Sequence, residues 1–131
     1  MHIFFPLGGR YPFALVKDFA HLFARRVHAL LPELTSLERA PKERRHQVYL
    51  DYLQNAIGQT IAAPYSVRPR PGAPVSAPLR WEEVKKGLDP GAFTLHTMPA
   101  RLQQLGDLFR EVLGKGIELE EMIEALKKLK P

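Results

Sequence analysis

The sequence predicts an α+β fold, with a mainly antiparallel sheet and helices packed on one of its faces. Three observations predict it. The runs HIFFPL (2–7) and QVYLDYLQN (47–55) have the length and the aromatic, β-branched content of strands. Apolar residues between Tyr11 and Pro32 recur at three- and four-residue steps, as they do on one face of a helix. The same spacing returns in Ala100–Leu113 and in Ile117–Leu129. A chain of 131 residues with 45% hydrophobic content can bury one core and not two. A single domain over 1–131 is therefore expected, closing on a C-terminal helix within 114–131.

Taken in order, HIFFPL reads as a buried strand, and Gly8-Gly9 turns the chain into the first helix, which begins at Tyr11-Pro12. Val16, Phe19, Ala20, Phe23, Val27, Leu30 and Leu31 form its apolar stripe, and Pro32 should stop it because proline lacks the N–H that continues a helix. Residues 33–46 are polar and basic with Pro41 in the middle, which suits a loop or a short helical connector. In QVYLDYLQN, Val48, Leu50 and Tyr52 alternate with Tyr49, Asp51 and Leu53. Gly58 then permits a turn into a second strand, QTIAAPYSV, so the pair reads as a hairpin. Pro69, Pro71, Pro74 and Pro78 make the next stretch extended and stiff. Trp81–Gly87 fits one or two helical turns, and Phe93–Met98 a last short strand. The sheet is expected to draw on the Ile3, Val48, Thr60 and Leu95 regions.

Charge is unevenly spread. Residues 1–80 hold 11 Lys and Arg against 5 acids, and residues 81–131 hold 8 against 9. A basic first part suits contact with phosphates, and a merely basic surface is the plainer alternative. No apolar run approaches a membrane span of about 20 residues, and the start has no basic segment before its apolar stretch. With no cysteine there is no disulfide and no thiolate metal site. A cytoplasmic protein without membrane partners is expected.

Three features could carry chemistry. Asp51 stands between Leu50 and Tyr52, where burial of a carboxylate is costly unless a metal ion or an arginine pairs with it. From spacing alone, an exposed edge-strand Asp, or one paired with Arg44, Arg45 or Arg68, is the plainer explanation. In Arg68-Pro69-Arg70 a proline fixes the backbone between two guanidinium groups, a geometry suited to bidentate contact with phosphate oxygens, or to two solvated arginines. His2 begins an apolar strand and reads by itself as an ordinary strand-end residue. His21, His28, His46 and His96 lack metal-ligand spacing and read as structural or surface groups.

QVYLDYLQN followed by GQTIAAPYSVRPRPGAPVSAPLRWEEV, and then LDPGAFTLHTMPARL, closely resembles the primase-polymerase domain of bacterial ligase D, within the archaeo-eukaryotic primase superfamily. HIFFPL and its long helix resemble the segment just upstream, so the likeness covers about residues 2–113. The resemblance implies a partial primase-like catalytic domain that transfers nucleotides to DNA ends during non-homologous end joining, with Mn2+ or Mg2+. It matches Asp51 to the third metal-binding acid, Arg68 to the triphosphate-binding arginine with Arg70 beside it, and His2 to the histidine that contacts the incoming triphosphate.

The pattern also departs. The family's Asp-x-Asp pair and glycine-rich run should precede His2, and this chain, whose aspartates are Asp18, Asp51, Asp89 and Asp107, holds neither. Ile57 stands near a turn where a basic residue is the family habit. The expectation is therefore a C-terminal portion of the catalytic domain, inactive alone, with metal binding weak or absent. DNA ends, nucleoside triphosphates, a ligase domain or the missing N-terminal half are its expected partners. An uncovered sheet face or edge would further make it a homo-oligomer. The alternative is a non-catalytic nucleic-acid or nucleotide-binding module that uses Arg44, Arg45, Arg68 and Arg70.

Overall fold

A computed structural model describes residues 1–129. The chain divides into two compact units, Met1–Thr60 with the segment from Lys115 onward, and Ile61–Gly114. Helices and a small sheet make up the secondary structure. No helix among the described residues is long and apolar enough to cross a membrane.

The first unit is built on α1 (Phe13–Leu30). Its stripe is buried at Phe19 and half-buried at Val16, Ala20, Phe23 and Val27, while Leu30 and Leu31 at its end are exposed; Ala24, outside the predicted stripe, is buried as well. Leu31 N–H donates to the Val27 and His28 carbonyls, and Pro32 ends the helix as expected. Residues 2–7 form no strand. They run extended against α1, and Phe5 meets Phe19 and Phe23 edge-on at ring-centroid distances of 5.7 and 5.1 Å. Side-chain packing rather than a hydrogen-bonded ladder therefore holds this segment.

The last helix, α3 (Leu119–Lys128), completes the same cluster. Leu119 has no exposed surface and Leu126 is buried, and both pack with Phe19, Phe5, Leu7, Phe23 and Ile123. A polar clasp holds the start of α3: Arg10 donates to Glu118 at 2.6 Å, and the Tyr11 hydroxyl donates to Glu118 while accepting from Leu119 N–H, both at 3.0 Å. Ile117 N–H donates to the Pro6 carbonyl at 2.8 Å. The backbones come so close here that a Cβ on Gly116, at φ +81°, would lie 2.6 Å from Gly8 N. Glycine is required on both counts.

The sheet departs from expectation. It has two strands, β1 (Thr35–Ser36) and β2 (Val48–Tyr49), and they are parallel, with Thr35 opposite Val48. The mainly antiparallel sheet is thus corrected, and so is the 48–67 hairpin. A 3-10 turn at Pro41–Arg44 returns the chain in the same direction, and the ladder closes with Leu50 N–H donating to Ser36. Buried Thr35 is satisfied by its own bonds to the Leu31 carbonyl and to His28 Nδ1.

In the second unit the expected strand QTIAAPYSV (59–67) is reduced to a bridge at Val67, whose partner lies inside the proline-rich run. Val67 bridges Val75, and Pro74 bridges Thr94, both antiparallel. The run is not extended throughout but reverses at Arg70–Ala73, where Ala73 N–H donates to Arg70 and Gly72 and Ala73 both take positive φ. Proline lacks a donor, yet its carbonyl accepts, and Arg68 N–H donates to Pro74 at 2.7 Å. The predicted strand at Phe93–Met98 is instead a threonine-bonded turn after the bridge at Thr94, preceded by a 3-10 turn (Pro90–Ala92). The helix α2 covers Met98–Leu105 and stops at Gly106, φ +69°, well short of Leu113. Asp107, whose carboxylate accepts from Phe109 N–H, starts the turn that follows, and a 3-10 helix takes Arg110–Leu113. Val75 and Met98 are the buried apolar residues of this unit.

Candidate functional site

Asp51 follows β2 by two residues and is exposed, so the cost of burying it does not arise. Its Oδ1 accepts from Leu53 N–H at 3.0 Å, an Asx turn that takes the backbone out of the ladder. This is why the strand read over QVYLDYLQN (47–55) shrinks to two residues. Neither Arg44 nor Arg45 pairs with Asp51. Arg44 lies over the Tyr49 ring at 4.0 Å and donates to the carbonyls of Glu38 and Arg39, which ties the basic loop together. Arg45 and His46 follow in the left-handed region, at φ +46° and +69°.

Aromatic rings flank the carboxylate on both sides in sequence. Burial raises the Tyr49 hydroxyl above its ordinary pKa, and the nearby negative charge of Asp51 adds to this, against the opposing effect of Arg44. Tyr52 stacks on His21 of α1 at 4.1 Å with the rings 13° apart, so that histidine is structural, as expected. His2 is exposed and edge-on to Phe4, with centroids 6.4 Å apart.

Arg68 and Arg70 belong to the second unit, whereas Asp51 and His2 belong to the first. Arg70 N–H donates to the Arg68 carbonyl at 2.8 Å, a tight turn about Pro69 that suits the fixed φ of proline. The loop is therefore more sharply fixed than an extended run would be. Among the described residues neither guanidinium enters an ion pair, and both remain available to an anion.

Sequence reasoning missed a clamp in this unit. Arg101 on α2 grips Glu83 through two bonds, of 2.6 and 2.7 Å, donates to the Pro78 carbonyl and lies 5.2 Å over the Phe93 ring. Arg80 N–H also donates to Glu83, at 2.7 Å. The Arg101 bonds hold the Glu83 carboxyl down at about 2, from an ordinary 4.5. Glu83 and Arg101 lie too far apart in sequence for any periodicity to join them. Phe93, under Arg101, accepts from Val75 N–H, and Val75 neighbours the Pro74 that holds Arg68. The clamp thus anchors the arm that carries the arginine pair.

Among the described residues no three His, Asp or Glu side chains gather as metal ligands. Divalent Mg2+ or Mn2+ held through oxygen needs several such donors, and Asp51 supplies one carboxylate. The residues present do not by themselves fit a metal centre.

The family described as LigD, primase-polymerase domain, matches residues 1–109. The multifunctional non-homologous end joining protein LigD of Pseudomonas aeruginosa is 37% identical over 105 residues, which cover 80% of this chain and 12% of that protein. The bifunctional non-homologous end joining protein LigD of Bacillus subtilis is 37% identical over 107 residues, 81% of this chain and 18% of that protein. The chain thus spans less than a fifth of the length of these relatives. The polymerase domain from Mycobacterium tuberculosis ligase D, solved in complex with DNA, superposes with a TM-score of 0.68 at 27% identity, over 80% of this chain and 36% of that one.

Proposed function

The chain belongs to the LigD primase-polymerase domain family, and from that premise we propose that it forms part of a nucleotidyl-transfer site acting on DNA ends in non-homologous end joining. The family match across residues 1–109 is the observation that carries this reading. In it, Asp51 is one carboxylate of a Mn2+ or Mg2+ site, Arg68 and Arg70 hold the triphosphate of the incoming nucleotide, and His2 contacts that triphosphate. The exposed Asp51 and the unpaired guanidiniums of a fixed turn are compatible with such roles.

These 131 residues supply one of the three carboxylates the family's metal site uses, and two metal ions cannot be held by one carboxylate. The chain alone is therefore expected to give no primer extension with Mn2+ and a nucleoside triphosphate, and to bind the metal weakly at most. Extension above background by the purified chain overturns that expectation. Activity would need the remaining carboxylates from further polypeptide, with a ligase domain as an added partner.

A second reading is a nucleic-acid-binding module that needs no metal. The free Arg68 and Arg70 guanidiniums favour it. The two readings separate in one variant: DNA binding that falls with salt and survives Asp51→Ala supports the module, whereas metal-dependent nucleotide binding lost in Asp51→Ala supports the polymerase site.

Self-association belongs to the same proposal. Val48 and Ile57 of the first unit are 64% and 82% exposed, and apolar side chains so displayed favour contact with a second copy. Sedimentation velocity at tens of micromolar should find a dimer or larger species, and a monomer there removes this part of the proposal.

A further inference from the structure

Trp81 is the chain's sole tryptophan and is 70% exposed, an unusual position for the side chain with the largest apolar surface. It opens a 3-10 turn, Trp81–Glu83, that is held from several directions. Val84 N–H donates back to the Trp81 carbonyl and Glu83 N–H to the Arg80 carbonyl, both at 3.1 Å. The Glu83 side chain is gripped by Arg101, so the turn is fastened to α2. The ring is thus carried on a rigid support and left in solvent.

The charges around it have one sign in excess. Arg80, Lys85 and Lys86 are exposed and enter no ion pair among the described residues. Of the nearby acids, Glu83 is paired with Arg101, while Glu82 and Asp89 are exposed, so the three cations exceed the free acids by one. The three cations, together with Glu82, Glu83 and Asp89, line an open depression of about 780 Å³ in this unit, whose lining does not include Trp81 itself. An exposed indole beside several free cations is what unpaired nucleic acid recognises: bases stack on the ring and phosphates meet the ammonium and guanidinium groups.

We propose that Trp81, flanked by Arg80, Lys85 and Lys86, is a stacking platform for an unpaired base of single-stranded DNA. The proposed platform uses neither Asp51 nor the Arg68–Arg70 pair, and it rests on the reading that the chain binds DNA. Stacking needs an open π-face, so an overhang suits it and a blunt duplex, whose bases are already stacked, does not.

The indole reports on its own occupancy. Binding of the full chain to a fluorescein-labelled oligodeoxythymidylate is followed by anisotropy, and Trp81 emission is followed in parallel with unlabelled oligomer. Saturating single strand should quench the emission, and a blunt duplex of equal length should quench it less. Trp81→Ala should weaken single-strand binding about five- to 150-fold, with Trp81→Phe retaining part of the affinity. Lys85→Glu with Lys86→Glu should weaken it further and flatten its salt dependence. An anisotropy rise with unchanged Trp81 emission, and wild-type affinity in Trp81→Ala, overturns the platform and leaves DNA binding standing. No anisotropy change with any DNA at low salt overturns both. A blue shift of emission on raising the protein concentration without DNA would instead assign Trp81 to a contact between copies, which also overturns it.

Discussion

The two units of this chain are held together by different physics. In Met1–Thr60 with the segment from Lys115 onward, three phenylalanines and two leucines from residues 5, 19, 23, 119 and 126 form one apolar cluster. In Ile61–Gly114 two apolar residues are buried, and directional polar contacts do most of the fastening: Arg101 on Glu83, the Tyr65 hydroxyl donating to Asp107 at 2.6 Å, and Thr97 bridging Ala92 and Thr94. Burial tolerates small shifts because dispersion and the hydrophobic effect are non-directional, whereas a bidentate pair fixes its partners in place. The candidate arginine pair Arg68–Arg70 and Trp81 lie on the polar unit, where position matters more than bulk, whereas His2 and Asp51 lie on the apolar one.

The largest expected effect falls on the apolar unit. Leu119→Ala removes the one fully buried large side chain among the described residues and should cost about 2–5 kcal/mol. Hydrogen exchange would show α1 losing protection while the amides of Val75 and Met98 keep theirs. If both units lose protection together, they unfold as one cooperative body and the comparison fails at the level of stability.

Gly116→Ala should come next. Its positive φ and the closeness of Gly8 force strain of about 1–3 kcal/mol, seen as a lower urea midpoint with an unchanged slope. A neutral effect would mean that the turn before α3 is not fixed as described.

The smallest effect sharpens the comparison through pH. The Glu83 carboxyl lies lower in the folded chain than in the unfolded one, so its contribution is complete above about 4.5 and is lost as pH falls toward about 2. For a partly exposed pair this amounts to about 1 kcal/mol, after allowing for solvent screening. Near-ultraviolet circular dichroism of Trp81 should change across that window, and Glu83→Gln should remove the change. A signal flat over that range in the wild-type chain would show that Arg101 does not hold the turn.

Some of the molecule was legible in advance because it depends on neighbours in sequence. Most of the α1 stripe, its stop at Pro32 and the helix within Ile117–Leu129 follow from local periodicity and from the missing N–H of proline, and these are found, whereas the helix read over Ala100–Leu113 ends at Leu105. The family kinship was equally local, resting on contiguous runs around Asp51 and Arg68, and residues 1–109 bear it out. Strand pairing was not legible. An apolar run such as HIFFPL satisfies a strand pattern and a packed extended segment alike, and only the position of α1 and α3 decides between them. Asp51 shows the same limit, since its side chain closes a local turn and stays in water.

What the sequence by itself determined, then, was which residues are apolar, cationic or conformationally restricted, and hence the helices, the kinship and the candidate residues. The tertiary structure alone decided that β1 and β2 run parallel, that 67 meets 75, and that Arg101 finds Glu83. Those contacts join residues from eight to eighteen positions apart. Their partners are selected by which backbone and side-chain groups the rest of the fold brings within hydrogen-bond reach, and composition carries no record of that.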